Sequence, residues 1–418
     1  MEFKEYKLSD LTINGKGEYG IGASAVEYNP SLYRYLRITD IDDNGFINTD
    51  ELKSVNDKNA ENYLLKENEI VFARTGNSTG KSYFYNEEDG PLVFAGFLIR
   101  FKLDSKKVNP KFIRYYTLSE NYKGWINQFA TGSTRKNINA KTYGNMIIKL
   151  PPRSYQNYIV QILDSLEEKL KENKKIIANL EELSQTLFKR WFVDFEFPDE
   201  NGNPYKSSGG EMIDSELGMV PKGWKILELG KITEIIMGQS PKSDTYNTQN
   251  EGLPLLNGAT DFKNRILNAT KYTTDPKKRG QIGDYVFGVR ATVGLVTELD
   301  RDYAIGRGAA VARVESTHKE WLYEILVKSF QYFENSISGS VYINISSNDL
   351  NNYKVIYPST EIMYKYHDKL VSIFDLVKSV KLETNLLTLL RDTLLPKLMS
   401  GEIEIPNDIE VNEDELSI

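Results

Sequence analysis

The chain repeats itself, and this constrains its fold more than any local motif. Residues 132–152, GSTRKNINAKTYGNMIIKLPP, align without a gap, at an offset of 207, onto residues 339–359, GSVYINISSNDLNNYKVIYPS. The same register carries LSQTLFKRWF from Leu183 onto LRDTLLPKLM from Leu390. Upstream, with small insertions, EIVFARTGNSTGKSYF from Glu69 matches DYVFGVRATVGLVTEL from Asp284, and FKEYKLSDL from Phe3 matches WKILELGKI from Trp224. A chain of 418 residues is too long for one core. The repeat therefore predicts two similar globular domains, each built by one copy.

Both copies end in the same kind of ladder. After Pro151 and Pro152, spacings of four and three connect Ile159, Leu163, Leu166, Leu170, Asn173, Ile177, Leu180, Ser184, Leu187 and Trp191. The second copy carries Tyr366, Leu370, Ile373, Val377, Val380, Thr384, Leu387, Arg391, Leu394 and Leu398, with Pro396 closing it. This is the seam of a coiled coil. A helix over about 154–190 would be roughly 55 Å long at 1.5 Å per residue, whereas ordinary helices average ~11–12 residues. Two equal stripes in one chain most simply pair with each other. Because a whole domain must be built between them, the pair is expected to be antiparallel, with the domains at its two ends. Asn173 puts a polar side chain in the seam, which costs stability and pins the register.

The expected architecture is α+β: two similar α/β domains joined by two long helices that form an antiparallel coiled coil. The boundaries read as a first domain over 1–153, a long helix over 154–192 and an acidic crossover linker over 193–223. A second domain then spans 224–358, a second long helix 359–400 and an acidic tail 401–418.

The stretch FARTGNSTGKSYF, residues 72–84, nearly spells a phosphate-binding loop. That loop needs four residues between Gly and Gly-Lys; Gly76 and Gly80 enclose three, and an aromatic strand ending in Asp-Gly follows. The twin segment VRATVGLVT keeps an arginine, Arg290, a threonine and Gly294, but has Leu295 where the first copy has Lys81. The shared feature is a hairpin presenting an arginine and hydroxyls, not a phosphate grip.

Other chemistry is missing too. There is no cysteine, and the two histidines, His318 and His367, read as ordinary surface or boundary residues. The lone Pro-Pro lacks the flanks of an amino-methyltransferase motif, and Glu167 with Lys169 reads as a solvated helix face rather than a nuclease motif. No apolar run is long enough to span a membrane, and the N-terminus lacks a secretory layout. The net charge is −7, yet the seven acids after Gly401 account for all of it. A second acidic stretch lies over 194–216, so the body of the protein is mildly basic and able to meet nucleic acid.

The repeat, together with FKRWFVDFEFP and GGEMIDSELGMVPKGW in residues 183–224 and LPPRSYQ at the start of the first long helix, strongly resembles the specificity subunit of type I restriction-modification systems. The second copy departs at YPSTEIMY, where the helix start is less familiar. The resemblance implies a non-catalytic subunit whose two target recognition domains each read half of a split double-stranded DNA site. It implies that the helices set the spacing and dock two modification subunits and, through them, restriction subunits. S-adenosylmethionine, ATP and Mg2+ would lie on those partners, which methylate adenine at N6 and cleave DNA; this chain itself would bind none, in a prokaryotic cytoplasm with no membrane involved.

On that reading the DNA-contacting candidates in the first domain are Arg74, Thr75, Asn77, Ser78, Thr79 and Lys81 of the hairpin and Ser133, Thr134, Arg135 and Lys136 of the later polar loop. The matching positions in the second domain are Arg290, Thr292, Ser338, Ser340, Tyr342 and Asn344. Arginine can pair bidentately with guanine and asparagine with adenine, while lysine and hydroxyls suit phosphates. The competing reading is a two-domain coiled-coil scaffold that binds proteins and never reads DNA.

Overall fold

The computed structural model describes residues 3–130, 137–290, 293–336 and 344–403. The chain divides into two compact units: residues 1–173 with 383–418, and residues 174–382.

In the first unit, β1 (Lys4–Lys7) pairs antiparallel with β10 (Ile147–Leu150). A four-stranded sheet has the order β2 (Glu18–Tyr19), β9 (Leu98–Lys102), β6 (Glu69–Ala73), β7 (Ser82–Phe84). A second sheet runs β3 (Ala25–Glu27), β5 (Lys53–Val55), β4 (Tyr33–Leu36), β8 (Leu92–Phe94), with β4 and β8 parallel. Residues 69–73 are buried throughout, so β6 is the central strand of its sheet.

Three short helices cover this sheet. They are α1 (Pro110–Tyr116), α2 (Glu120–Asn127) and α3 (Ala140–Gly144), capped by the side chains of Asn109, Ser119 and Asn139. Each cap satisfies a first-turn N–H that would otherwise lack an acceptor. Phe72 stacks on Tyr143 with ring centroids 4.9 Å apart and meets Phe101 edge-on at 5.8 Å. All three are fully buried, each contributing roughly 1.5–3 kcal/mol through removal from water.

The second unit repeats this plan, with one strand more in its second sheet. β13 (Lys225–Glu228) pairs antiparallel with β23 (Lys354–Tyr357), as β1 does with β10. The equivalent sheet is β14 (Glu234–Met237), β22 (Ala309–Arg313), β19 (Tyr285–Gly288), β20 (Thr297–Glu298). The parallel pair recurs as β16 (Leu253–Leu256) beside β21 (Tyr303–Ile305), with β15 (Tyr246–Asn247), β17 (Tyr272–Thr273) and β18 (Arg279–Gly280) completing that sheet. The long α5 (Lys319–Ser336) stands where the first unit has α1 and α2, and α6 (Ser347–Asn351) answers α3.

The long helices are α4 (Arg153–Phe192) and α7 (Thr360–Ser400). In the first unit the Tyr155 hydroxyl donates to the Ile403 carbonyl, while Asn173 Nδ2 donates to Glu383 (2.8 Å) and Thr384 (3.3 Å). In the second unit Lys381 meets Glu181 at 3.0 Å and Trp191 meets Tyr366 with rings 5.7 Å apart. Both sets of partners run in opposite sequence directions, so the helices pair antiparallel. Every seam position named from the sequence is buried or half-buried, and Asn173 is fully buried.

Four expectations need correction. Pro396 does not close α7, which continues to Ser400; Leu398 and Met399 beyond it are buried in the core of the first unit and hold the last turn. Glu167 is not on a solvated face: its side chain is 10% exposed and pairs with Arg114 of α1, anchoring that helix to α4. The crossover over 193–223 is more than a tether, because Phe195 and Phe197 are buried against Trp224 and β11 (Met212–Ser215) forms a hairpin with β12 (Gly218–Pro221). Of the two histidines, His367 is half-buried, as a boundary residue is, but His318 is not. His318 is buried beside the Tyr357 hydroxyl (2.8 Å), where burial pushes its pKa down, and His367 pairs with buried Glu320 (2.8 Å).

Candidate nucleic-acid interface

The hairpin motif lies where β6 leaves its sheet. Antiparallel β6 and β7 are joined by a tight turn over Gly76–Ser78, as the sequence indicated. A lattice of main-chain bonds fixes this edge. Arg74 N–H donates to Phe97 O (3.0 Å), Gly20 N–H to Leu98 O (3.1 Å) and Ile138 N–H to Arg74 O (2.9 Å), while the Tyr143 hydroxyl donates to Ala73 O (2.9 Å). Thr75 bridges Asn137. Gly20 is obligatory here, since a Cβ on it would lie 2.2 Å from Ala95 O.

The second unit builds the same lattice. Val289 N–H donates to Gly308 O (3.2 Å), Gly238 N–H to Ala309 O (3.0 Å) and Ile345 N–H to Val289 O (3.1 Å). Arg290 bridges Asn344. A Cβ on Gly238 would lie 2.1 Å from Gly306 O.

This lattice revises the pairing of the arginines. Val289 occupies the place of Arg74, and Arg290 that of Thr75. The turn is one residue shorter in the second copy, and the sequences realign at Gly80 and Gly294, both with positive φ (94° and 90°). Adjacent residues of an extended strand point to opposite sides, so the two arginines serve different faces. Arg74 lies over the Tyr19 ring (5.0 Å to its centroid), donates to Asn137 Oδ1 (3.4 Å) and keeps its Nε buried with no partner among the described residues. Arg290 is exposed and lines a cleft of about 400 Å³ with Gln239, Ser240, Arg307 and Asn344.

The other candidates divide in the same way. Asn77 is exposed at the turn, with Thr75 and Ser78 half-buried. Thr79 is buried and donates to Gly76 O (2.7 Å). The Lys81 ammonium is held by the Ile41 carbonyl (3.1 Å) and Asp43 (3.0 Å). Ser133, Thr134, Arg135, Lys136, Thr292, Ser338, Ser340 and Tyr342 lie outside the described residues.

Sequence reasoning missed the opposing wall of each edge. In the first unit this is Tyr19 and Phe97, 43% and 60% exposed; in the second it is Gln239, Ser240 and Arg307. The signal lay in the short glycine segments EYGIG and IMGQS, which lacked a partner to align against until the strands were paired.

The turn DIDDNGFINTDE, residues 40–51, has the spacing of a calcium loop, but its carboxylates are used locally. Asp40 binds Arg37 (2.7 Å), and Asp42 accepts from the N–H groups of Asn44 (2.9 Å) and Phe46 (2.8 Å). Among the described residues no cluster of three or more His, Cys, Asp or Glu side chains could hold a metal, and no helix is long and apolar enough to cross a membrane.

The chain is a duplicated α/β domain with a polar loop edge on each copy and two long helices that pair antiparallel. The profile of the type I restriction modification DNA specificity domain matches residues 1–182 and again 221–390, so the chain belongs to that family. It is therefore a non-catalytic specificity subunit. The Methanocaldococcus jannaschii protein named for the MjaX type I restriction enzyme specificity subunit is 27% identical over 364 residues, 85% of this chain and 83% of the relative. The HindI specificity subunit of Haemophilus influenzae is 23% identical, covering 96% of this chain and all of its own length. The crystal structure of a type I S subunit from M. genitalium shares the fold, with a TM-score of 0.60 at 16% identity over 95% of this chain and 96% of the other.

Proposed function

We propose that each unit reads one half of a split double-stranded DNA site through the loop edge at the end of its central strand. One observation carries this reading: the same main-chain lattice is built twice, but its exposed side chains differ. A shared frame gives a common docking geometry, and different side chains give different base preferences. In the first unit Arg74, Thr75, Asn77 and Ser78 are the contacts to test. Lys81, already paired with Asp43, acts by holding the turn over residues 40–51 in place.

The antiparallel helices set the distance between half-sites and receive two modification subunits. Leu386, Leu389 and Leu390 of α7 are 58%, 64% and 44% exposed on its outer face and supply an apolar docking stripe. Modification subunits carrying S-adenosylmethionine methylate adenine N6; restriction subunits supply the ATP- and Mg2+-dependent steps, in the cytoplasm of a prokaryote. The test is co-expression with the modification subunit followed by genome-wide mapping of N6-methyladenine. A single split motif is expected. An intact complex that leaves DNA unmodified would refute the reading and favour the protein scaffold.

A further inference from the structure

The two loop edges share a frame but not a chemistry. By the lattice bonds above, Phe97 corresponds to Gly308, Gly96 to Arg307, Thr75 to Arg290 and Ile21 to Gln239. The exchange replaces an aromatic wall with two guanidinium groups. Arg290 and Arg307 are both exposed and both line the same cleft of about 400 Å³, and among the described residues no carboxylate lines it with them. Among the described residues neither guanidinium has a hydrogen-bond or ion-pair partner.

Most other arginines near these sheets are committed. Arg100 is tied to Glu18 and Glu69, Arg313 to Asp284 and Glu234, Arg265 to Glu181 and Arg37 to Asp40. Two guanidinium forks that line one cleft, with no partner or carboxylate beside them among the described residues, form a donor array. Its best match on duplex DNA is the O6/N7 edge of guanine, which takes two parallel N–H donors from one arginine.

Resting on the DNA-reading function above, we propose that Arg290 and Arg307 determine specificity in the half-site read by the second unit, and that this half-site carries guanine where they reach. The main chain around them is set independently of their side chains. Gly306 and Gly308 allow the turn to approach Asn257, against which Cβ atoms would lie 2.2 Å from Oδ1 and 2.5 Å from the carbonyl oxygen. Arg307 is thus presented from a rigid turn, which limits the ordering needed on binding.

The test uses the full chain co-expressed with its modification subunit, comparing methylation motifs for wild type, Arg290→Ala, Arg307→Ala and the matching Lys variants. Each Ala variant should lose roughly 10- to 100-fold of the preference for guanine at one position in one half of the motif, with the other half unchanged. The Lys variants should relax the same position while keeping affinity for random DNA, because lysine retains the charge but not the fork. A half-site without guanine would overturn the inference. So would variants that keep the motif and lose affinity equally on all sequences, which would make both residues phosphate contacts. Absence of any split motif from the wild-type complex would remove the DNA-reading function itself.

Discussion

Glu324 gives a direct test of how the second unit is held to its helices. The residue lies on α5, is 3% exposed, and accepts a hydrogen bond from Ser184 Oγ of α4 at 2.7 Å. Burial pushes its pKa from 4.5 up to about 7, and nearby Glu181 adds to this; the Ser184 hydrogen bond, Arg265 and Lys328 oppose the rise. The folded protein therefore holds this proton more tightly than the unfolded chain. Between pH 4.5 and about 7 the folded state binds more protons than the unfolded state, so stability falls as pH rises through that window.

At ~1.4 kcal/mol per pH unit, the interval amounts to roughly 3 kcal/mol. Glu324→Gln keeps an acceptor for Ser184 and removes the titration. The variant should match wild type near pH 5 and exceed it near pH 8 by an amount of that order. Amide hydrogen exchange over residues 319–336 between pH 5 and 8, corrected for intrinsic rates, reads the difference in the helix concerned. Parallel pH profiles for the two proteins would refute the assignment of a buried, protonated carboxyl.

Asn173→Leu removes a fully buried amide whose Oδ1 has no partner among the described residues, and should stabilise the helix pair by about 1–3 kcal/mol in chemical denaturation; a loss would show that the polar layer is a net stabiliser. Gly20→Ala would drive a Cβ to 2.2 Å from Ala95 O, whereas at Gly22 nothing lies within 4 Å. The first should lose roughly 1–3 kcal/mol and the second stay within about 0.5 kcal/mol, as read by thermal melting. Leu389→Asp should reduce retention of the modification subunit on size-exclusion chromatography by about tenfold or more while changing stability by under about 0.5 kcal/mol. Arg74→Ala should weaken binding to the cognate site more than to random DNA in a competition assay, and an equal loss on both would make it a backbone contact.

Periodicity is written in neighbouring residues, so much of the architecture was legible without coordinates. The two ladders, the hairpin at residues 69–84 and the polar layer at Asn173 follow from spacing that a local window contains, and the repeat from one constant offset of 207 residues. What sequence could not show was how residues far apart are matched. Whether Arg290 answers Arg74 or Thr75 depends on a one-residue difference in turn length, and one step along a strand moves a side chain to the other face. Lys81 looked free because Asp43 lies on a different strand connection, and Glu167 looked solvated because Arg114 is on another helix. Arg307 drew no attention because its counterpart is a glycine. The amino-acid order by itself determined that one domain is made twice and hung on paired helices. The tertiary structure decided which polar side chains are spent on holding that frame and which remain free at its edge, because charges are neutralised by neighbours in space rather than in sequence.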